Sequence, residues 1–374
     1  MAKSKSTRAK ASGGGGSRSA TDLTRRLEQL DRELVELANE RARCAAEWSA
    51  RQAEARLPPV DFAAEESQVA AALAGTKGPL STESLRAMLR ELQSGCRALV
   101  KHIRVAFLGP RYSYSHQAAG AFFGSTVELI PVGTIAAVFG ELTRGHADFG
   151  LVPLENSTDG RVADTLDMFT RFPIRIRGEV PLRIHHNLLA KCPRSEIAEV
   201  YSKPQALSQC REWLSKQLPA ARLVEITSTA AAAQVAADKP GAAAVASIQA
   251  ATHYGLTVVA ANIEDKANNL TRFAVIGGAD VPKRTGRDKT AIMFELPHRP
   301  GALADAMVVF KKHRLNLTWI ESFPSPSAPN EYLFFAEFEG HQADANPRRA
   351  LDALRRRCVR LEVLGSYPRG TVIE

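Results

Sequence analysis

The sequence predicts a multidomain protein with an all-α amino-terminal segment, a two-lobed α/β region and a carboxy-terminal α+β module. The chain has 374 residues, which exceeds one ordinary core at roughly 150 residues per domain. Near Ile103 the apolar periodicity changes from a helical repeat to short strands that alternate with helices. A polar, charged stretch from Lys283 to Asp288 then precedes a second, smaller set of strands and helices.

Composition places most of the chain among folded proteins, because 45% of the residues are hydrophobic and 24% are charged. Residues 1–20 differ, since they contain four consecutive glycines and no acidic residue. We expect a disordered basic tail there, with an organelle transit peptide as the alternative. The chain shows neither a secretory apolar region nor an apolar run of about eighteen residues, so we expect no membrane partner.

The net charge of +9 does not by itself indicate a nucleic-acid partner. Five of the 49 Lys and Arg residues lie in the tail, which leaves +4 on the rest of the chain. A nucleic-acid binder would therefore depend on the tail, and we expect no such partner. The five cysteines are scattered and form no C-x-x-C pair, which argues against disulfides and a zinc site and favours a cytoplasmic location.

The first element is a long helix from Thr21 to Arg56. Leu27, Leu30, Leu34 and Leu37 are spaced by three and four residues, which is a heptad seam. A helix of that length needs a packing partner, so we expect residues 21–101 to mediate dimerisation. Shorter helices follow, one capped by Asp61 and one beginning near Ser81.

Residues 103–281 alternate strands and helices, which is typical of α/β folds. We expect a first lobe over 103–178 plus 262–281 and a second lobe over 179–261. The late strand Arg272–Ile276 returns to the first lobe in this prediction. The cleft between the two lobes is then the natural ligand site.

Residues 289–374 show the order strand, helix, strand, strand, helix, strand. This βαββαβ order is typical of the ferredoxin-like fold. We expect a stand-alone module.

Three polar segments lie at strand-to-helix junctions of the α/β region, where packing does not explain their composition. They read GPRYSYSHQAA at 109–119, VPLENS at 152–157 and NNLTRF at 268–273. The first offers hydroxyl groups and helix N-terminal N–H groups, an arrangement that binds carboxylate or phosphate.

These segments, in this order, resemble the signatures of the prephenate dehydratase family, and SKPQALSQC at 202–210 is similar to a fourth signature. The resemblance implies a two-lobed fold of the periplasmic-binding-protein type. It also implies the loss of carbon dioxide and hydroxide from prephenate, which gives phenylpyruvate for phenylalanine biosynthesis, without metal or organic cofactor. Arogenate dehydratase is an alternative, as is a non-catalytic amino-acid-binding protein with the same two lobes.

The resemblance implies catalytic roles for Thr271, Glu155 and Asn156. The expected substrate-binding residues are Ser113, Ser115, His116, Ser157, Ser202, Gln209, Arg272 and Phe273. Thr271 would donate a hydrogen bond to the departing hydroxyl, and Glu155 would relay a proton if desolvation raised its pKa.

On electrostatic grounds Arg272 is the expected anion anchor. Other interpretations stay open: Arg272 pairs with a nearby acid, Asn156 and Ser157 cap the next helix, or His116 is an ordinary residue of a helix start. Two positions depart from the family pattern, since Tyr112 stands where a glycine is usual and Lys203 where a histidine is usual.

The carboxy-terminal module resembles the ACT regulatory domain. Gly301, Ala302 and Leu303 match its helix start, and Glu321 and Ser322 open a segment similar to its E-S-R-P motif. The resemblance implies phenylalanine as effector, bound between two modules across a dimer. Phe323 replaces the arginine of that motif, which removes its charge-assisted hydrogen bonds. A dimerisation module without ligand is the alternative.

The helical segment resembles the AroQ-type chorismate mutases that are fused to dehydratases, with Asp31, Arg41, Asp61 and Glu65 setting the register. In this register the family's cationic positions and its late glutamine fall on Thr24, Gln52, Ala64 and Val100. Because cationic groups accelerate the rearrangement of the chorismate dianion, we expect weak or absent mutase activity. A bifunctional enzyme with an active mutase is the alternative. We expect a homodimer or homotetramer.

Overall fold

A computed structural model describes residues 19–55, 60–158, 160–278, 283–325 and 332–374. The predicted disordered tail lies outside the described residues, except for Ser19 and Ala20, which begin the first helix. Within these ranges no helix combines the length and the apolar character needed to cross a bilayer.

The amino-terminal segment is helical, as predicted. Its helices are α1 (Ala20–Glu54), α2 (Phe62–Leu73) and α3 (Thr82–Ala98). Each begins at a side chain that accepts a hydrogen bond from a backbone N–H of the first turn, namely Ser19, Asp61 and Ser81. The heptad leucines of α1 are exposed, with Leu27 62% and Leu34 53% accessible.

The first α/β lobe is built on a six-stranded sheet whose main path is β2-β1-β3-β11-β5, with β4 paired to β3. Its strands are β1 (Arg104–Leu108), β2 (Glu128–Val132), β3 (Phe149–Asn156), β4 (Gly160–Arg161), β5 (Arg175–Arg183) and β11 (Leu270–Gly277). Its helices are α4 (Tyr114–Phe123), α5 (Ile135–Thr143) and α6 (Ala163–Arg171). The late strand β11 runs antiparallel between β3 and β5.

The second lobe has a five-stranded sheet in the order β10-β6-β9-β7-β8. Its strands are β6 (Asn187–Ala190), β7 (Glu199–Ser202), β8 (Arg222–Glu225), β9 (Ala242–Ala246) and β10 (Thr257–Ala260). Its helices are α7 (Pro204–Gln209), α8 (Arg211–Gln217), α9 (Thr229–Asp238) and α10 (Ile248–Tyr254).

Two details of the α/β region concern where its elements end. Residues 174–189 form two strands in different sheets, separated at 184–186, so all of β5 belongs to the first lobe, which differs from the expected lobe boundary between residues 178 and 179. The helical stretch from α7 to α8 is interrupted at Cys210, whose φ of −117° and ψ of 14° are not helical. Periodicity does not detect the break at Cys210, because Leu207, Cys210 and Leu214 continue the helical spacing, whereas the polar residues 185–187 mark the change from β5 to β6.

The carboxy-terminal module has the predicted βαββαβ order. Its elements are β12 (Asp288–Glu295), α11 (Ala302–Lys312), β13 (Leu317–Pro324), β14 (Tyr332–Glu339), α12 (Ala345–Arg355) and β15 (Arg360–Pro368). The sheet order is β13-β14-β12-β15, and all neighbours are antiparallel.

The expectation of a stand-alone module is wrong, because the module shares a hydrophobic core with the first lobe. One continuous cluster contains Leu166 and Ile176 of the first lobe together with Met293, Phe335 and Tyr367 of the module. Only the opposite face of the module's sheet packs on its own helices α11 and α12. The first lobe and the module are therefore one packing unit.

The closest approach in this shared core is between β15 and β5. A Cβ atom added at Gly365 would lie 2.1 Å from the carbonyl oxygen of Ile176. No side chain fits at that distance, so the absence of a Cβ at Gly365 allows the two sheets to meet.

We therefore predict that Gly365→Ala lowers the free energy of unfolding by about 1 to 3 kcal/mol, because the added methyl group overpacks a backbone contact. Calorimetric unfolding measures the change. Gly120→Ala is the matched control, since a Cβ at Gly120 in α4 meets nothing within 4 Å. A Gly365→Ala protein as stable as wild type would contradict the tight contact.

Candidate active site

The ends of β3 and β11 carry a pair of polar side chains on one face of the first sheet. Thr271 and Asn156 are direct cross-strand partners. Asn156 Nδ2 donates to Thr271 Oγ1 at 2.8 Å and to Asn269 Oδ1 at 3.0 Å. Thr271 Oγ1 thus accepts a hydrogen bond, and within the described part of the chain no acceptor lies in reach of its own proton. Its hydroxyl is available to donate.

The second lobe reaches this pair through Gln209, the last residue of α7. Gln209 Nε2 donates to Thr158 Oγ1 at 2.7 Å, and Gln209 Oε1 accepts from Asn269 Nδ2 at 2.8 Å. Thr158 in turn donates its hydroxyl proton to Asn156 Oδ1. The network crosses the cleft and joins the two lobes at one point.

His186 extends the network from the crossover between β5 and β6. Its Nε2 lies 2.9 Å from Gln209 Oε1, and its Nδ1 lies 3.0 Å from the Tyr114 hydroxyl. Since an amide oxygen only accepts, His186 donates from Nε2. Burial lowers the pKa of His186, which outweighs the opposite effect of its contact with Gln209, so the imidazole is neutral at neutral pH.

One path through this network runs in a single direction, while a side branch returns from Asn156 through Asn269 to Gln209. Donation passes from His186 to Gln209, Thr158, Asn156 and finally Thr271. Aligned hydrogen bonds polarise one another, so the last hydroxyl in such a chain is a better donor than an isolated alcohol. The arrangement can therefore donate a hydrogen bond to a ligand atom that gains negative charge.

Glu155 and Arg272 lie on the other face of the same strands, because successive side chains of a strand alternate between faces. They are direct cross-strand partners, and Arg272 donates to Glu155 Oε2 from Nε at 3.2 Å and from Nη2 at 3.0 Å. Arg272 also pairs with Glu337 and Glu179. The expectation that Arg272 anchors a substrate anion is therefore corrected, and pairing with acids is the interpretation that the structure matches.

Other predicted site residues are engaged in local structure. Ser157 bridges to Asn268 and Leu270, and Ser202 donates to the Val245 carbonyl at 2.6 Å inside the second lobe. Phe273 is 2% exposed in the core of the first lobe. Capping of the next helix by Asn156 or Ser157 is not seen, since α6 begins after Val162 without a side-chain cap.

The first polar segment forms the start of α4. Ser113 is its N-cap and accepts from His116 N, and Ser115 is buried. The ring of His116 packs on Phe107 and Tyr112, and burial, together with Arg111, lowers its pKa. These residues lie at a helix N-terminus, where N–H groups can bind a carboxylate.

Tyr112 occupies a backbone conformation that explains the glycine usual at this position. Its φ is 65°, in the left-handed region. The ring stacks on His253 of α10 with centroids 3.6 Å apart. The tyrosine thus adds a contact between the lobes that a glycine would lack.

The residues expected to bind an effector lie at the start of α11 and on β13. Gly301 precedes α11 with φ of 81°, Ala302 is buried and Leu303 is 40% exposed. Glu321 accepts from Arg161 Nη1 at 3.1 Å, and the Ser322 carbonyl accepts from the same atom at 2.8 Å. Phe323, which replaces an arginine, packs against the core shared with the first lobe.

The helical segment has its own buried charge pair. Arg97 of α3 pairs with Glu65 of α2 and donates to the carbonyl of Phe123 in the first lobe. Burial raises the pKa of Glu65, although Arg97 opposes this effect. Arg41 of α1 lies nearby and donates to Cys96 Sγ at 3.2 Å. Of the two arginines named here, Arg97 is paired with Glu65, whereas Arg41 has no carboxylate partner among the described contacts.

Sequence reasoning missed His186, Thr158, Asn269 and Arg161. A signal existed for two of them: His186 lies in a polar His-His-Asn step between apolar strands, and Asn269 lies inside the third polar segment. Thr158 directly follows the second polar segment, but its contact with Gln209 spans 51 residues and gives no local signal. Arg161 offered none, because its partner Glu321 is 160 residues away.

Family models match two parts of the chain, prephenate dehydratase over residues 105–280 and chorismate mutase type II over residues 23–101. A bifunctional chorismate mutase/prephenate dehydratase of Aquifex aeolicus is 40% identical over 359 residues, 94% of this chain and 99% of that protein. A prephenate dehydratase of Amycolatopsis methanolica is 38% identical over 71% of this chain and 88% of its own length.

Among solved structures, prephenate dehydratase from Arthrobacter aurescens in complex with L-Phe superposes with a TM-score of 0.67 and 32% sequence identity. The match covers 71% of this chain and 90% of that chain.

Proposed function

Because the chain belongs to the family of bifunctional chorismate mutase/prephenate dehydratases, we propose that it converts prephenate to phenylpyruvate, with Thr271 as the hydrogen-bond donor to the departing hydroxyl. The observation that carries this proposal is the hydrogen-bond path from His186 that ends at Thr271 Oγ1 between the two lobes.

The reaction breaks two bonds of the cyclohexadienol ring. The ring carboxylate leaves as carbon dioxide, and its bonding electrons enter the ring. The carbon–oxygen bond to the hydroxyl breaks with both electrons on oxygen, which leaves as hydroxide while it accepts a hydrogen bond from Thr271 and then takes a proton from solvent water. Aromatisation drives the reaction, so the protein needs to stabilise charge that develops on the departing oxygen.

In this proposal Asn156 and Gln209 act by orientation. Asn156 occupies an oxygen lone pair of Thr271 and so directs the hydroxyl proton towards the substrate. Gln209 holds Thr158 and Asn269 on either side of Asn156. Glu155 faces the opposite side of the sheet, so we replace its expected proton-relay role with a positioning role. The N-terminus of α4 would take the pyruvyl carboxylate.

The dehydratase assignment predicts that Thr271→Ala lowers kcat for prephenate by about 100- to 1000-fold, because one donor to a developing oxyanion is lost. Thr271→Ser keeps the hydroxyl and should retain most of the activity. Steady-state formation of phenylpyruvate from prephenate gives kcat for both variants. Formation of phenylalanine from arogenate, assayed in parallel with the wild type, identifies the preferred substrate.

Thr143→Ala is the matched control, since Thr143 donates only to the Phe139 carbonyl at the end of α5. An unchanged kcat in folded Thr271→Ala would remove the role proposed for Thr271, and absence of turnover in wild type would reject the dehydratase itself.

We propose that the helical segment has a mutase fold with weak or absent activity. The relatives' bifunctional name favours an active site there. The uncharged residues Thr24, Gln52 and Ala64 at expected cationic positions favour the opposite, as does the use of Arg97 in an ion pair with Glu65. A dianionic substrate would meet few unpaired cations.

Purified protein should therefore consume chorismate with a kcat well below roughly 1 per second, which is the lower end of the range of ordinary enzymes. Disappearance of chorismate absorbance measures the rate, and phenylpyruvate production from prephenate in the same preparation shows that the protein is intact. Turnover at ordinary enzyme rates would overturn the degenerate-site proposal.

We propose that the carboxy-terminal module is an ACT domain that senses phenylalanine and that two chains associate through α1. The relative that binds L-Phe supports the effector. The exposed leucine seam supports the dimer, since it places Leu23, Leu27, Leu30, Leu34 and Leu37 in solvent in the single chain. A homotetramer would be a larger assembly that contains the same contact through α1.

The paired change Leu27→Glu with Leu34→Glu should halve the molar mass measured by light scattering, because four buried charges would oppose the seam in a dimer. Leu80→Glu is the control, since Leu80 is equally exposed, at 60%, but lies outside α1. A monomeric wild type, or an unchanged mass in the paired variant, would contradict association through α1.

A further inference from the structure

We propose that Arg272 is a positioning residue of the dehydratase site and that Glu337 of the carboxy-terminal module holds it in place. The module would then be a structural part of the site and not only its regulator. This inference rests on the dehydratase function proposed above and adds a residue of the module to it.

The cluster that supports this proposal is buried between the first lobe and the module. We call it the joint cluster, and it consists of Glu155, Glu179, Arg272, Lys289, Glu337 and Tyr367. Arg272 Nη1 donates to Glu337 Oε1 at 2.7 Å and to Oε2 at 2.6 Å. The side chain of Glu337 is 1% exposed and that of Arg272 is 11% exposed. A pair this well buried has one geometry.

Each partner in the joint cluster has further hydrogen bonds that fix it. Tyr367 donates its hydroxyl proton to Glu337 Oε1 at 2.9 Å. Lys289 lies 3.0 Å from Glu179, which also accepts from Gly370 N. The ring of Trp319 lies beneath the guanidinium at 5.5 Å. The module thus surrounds Arg272 with contacts that leave it little freedom.

The route from Arg272 to the site is short. Arg272 follows Thr271 on β11, and its partner Glu155 precedes Asn156 on β3. The Arg272–Glu155 ion pair therefore lies directly behind the Asn156–Thr271 hydrogen bond, on the other face of the same two strands.

The ladder between β11 and β3 is irregular at this end, although β11 pairs with β5 without a shift from Leu270 to Val275. The register between β11 and β3 shifts between Arg272 and Phe273, so Leu154 has no partner on β11. Such a bulge loosens a ladder and redirects the side chains beyond it. Beyond the bulge, the contacts of Arg272 with Glu155 supplement the few backbone bonds that align Thr271 with Asn156.

A second contact between the module and the same hairpin supports this interpretation. Arg161 of β4 is the cross-strand partner of Glu155, and its guanidinium contacts Glu321 and the Ser322 carbonyl of β13. The module therefore holds both β11 and the β3–β4 hairpin.

The test is Glu337→Gln in the full-length chain, because it keeps the shape of the side chain. In wild type, two cations of the joint cluster face three carboxylates. In the variant, two cations face two carboxylates, which leaves no cation without a partner. We expect kcat for prephenate to fall about 10- to 100-fold, as expected for misplacement of a reacting group, and KM to change less than about threefold, because the Thr271 contact forms mainly in the transition state.

Glu339→Gln is the matched control. Glu339 lies two residues further along β14 and is 3.7 Å from Arg369 at the surface, so the same substitution there should leave kcat unchanged. A merely structural role of Glu337 would lower the thermal midpoint while kcat per folded molecule stayed at the wild-type value, and that result would overturn the proposal.

Arg272→Lys serves as a second variant in case Glu337→Gln does not fold. It keeps the positive charge but cannot bind Glu337 and Glu155 together through a planar fork. A wild-type kcat in either folded variant refutes the positioning role. Loss of folding in both would also refute it, because the cluster would then act on stability. Failure of the proposed function is distinguishable, since wild type itself would then not convert prephenate.

Discussion

The catalytic half of this molecule depends on the ion pairs of one buried guanidinium, that of Arg272. It lies between the sheet of the first lobe and the sheet of the module. Removing Arg272 and its three carboxylates from water costs several kcal/mol per ion, and only near-complete pairing repays that cost. Glu155 and Glu179 belong to the first lobe itself, but the pair with Glu337 exists only when β14 of the module lies against β11. We infer that a charge cluster of this kind favours the docking geometry that pairs its ions.

The apolar surroundings reinforce this specificity. The core that contains Ile176 also contains Met293, Phe335 and Tyr367, so the first lobe cannot bury its outer face without the module. Gly365 lets the backbones of β15 and β5 approach closely enough for that core to close. The polar linker thus makes the module look like a separate domain in the sequence, but in the structure the module supplies half of a core that it shares with the first lobe. Phe323 fits this arrangement, because an apolar ring in the shared core replaces a cation that would need a partner there.

Much of this fold follows from local signals. Ser19, Asp61 and Ser81 cap the three helices where the sequence predicts helix starts, and the βαββαβ order of the module follows from its periodicity. In contrast, a residue's place in a motif does not reveal which face of the sheet its side chain lies on. Motif resemblance placed Thr271 and Arg272 together in the cleft, yet neighbours on a strand point to opposite faces. That rule alone would have divided the motif into a cleft residue and a back-face residue. The partner Glu337, in contrast, is 65 residues away, and no local pattern reveals it.

The division of the two faces also has a chemical consequence. On the cleft side the network that ends at Thr271 is built from amides and hydroxyls, together with a histidine whose pKa burial lowers. On the back side Arg272 and Lys289 are paired with carboxylates. A cation beside the ring carboxylate of prephenate would stabilise the ground state and slow its loss as carbon dioxide. In the proposed reaction a neutral network would avoid that stabilisation and still donate a hydrogen bond to the departing hydroxyl. By keeping its cations behind the sheet, the fold can hold the strands rigidly with charge while presenting an uncharged donor to the substrate.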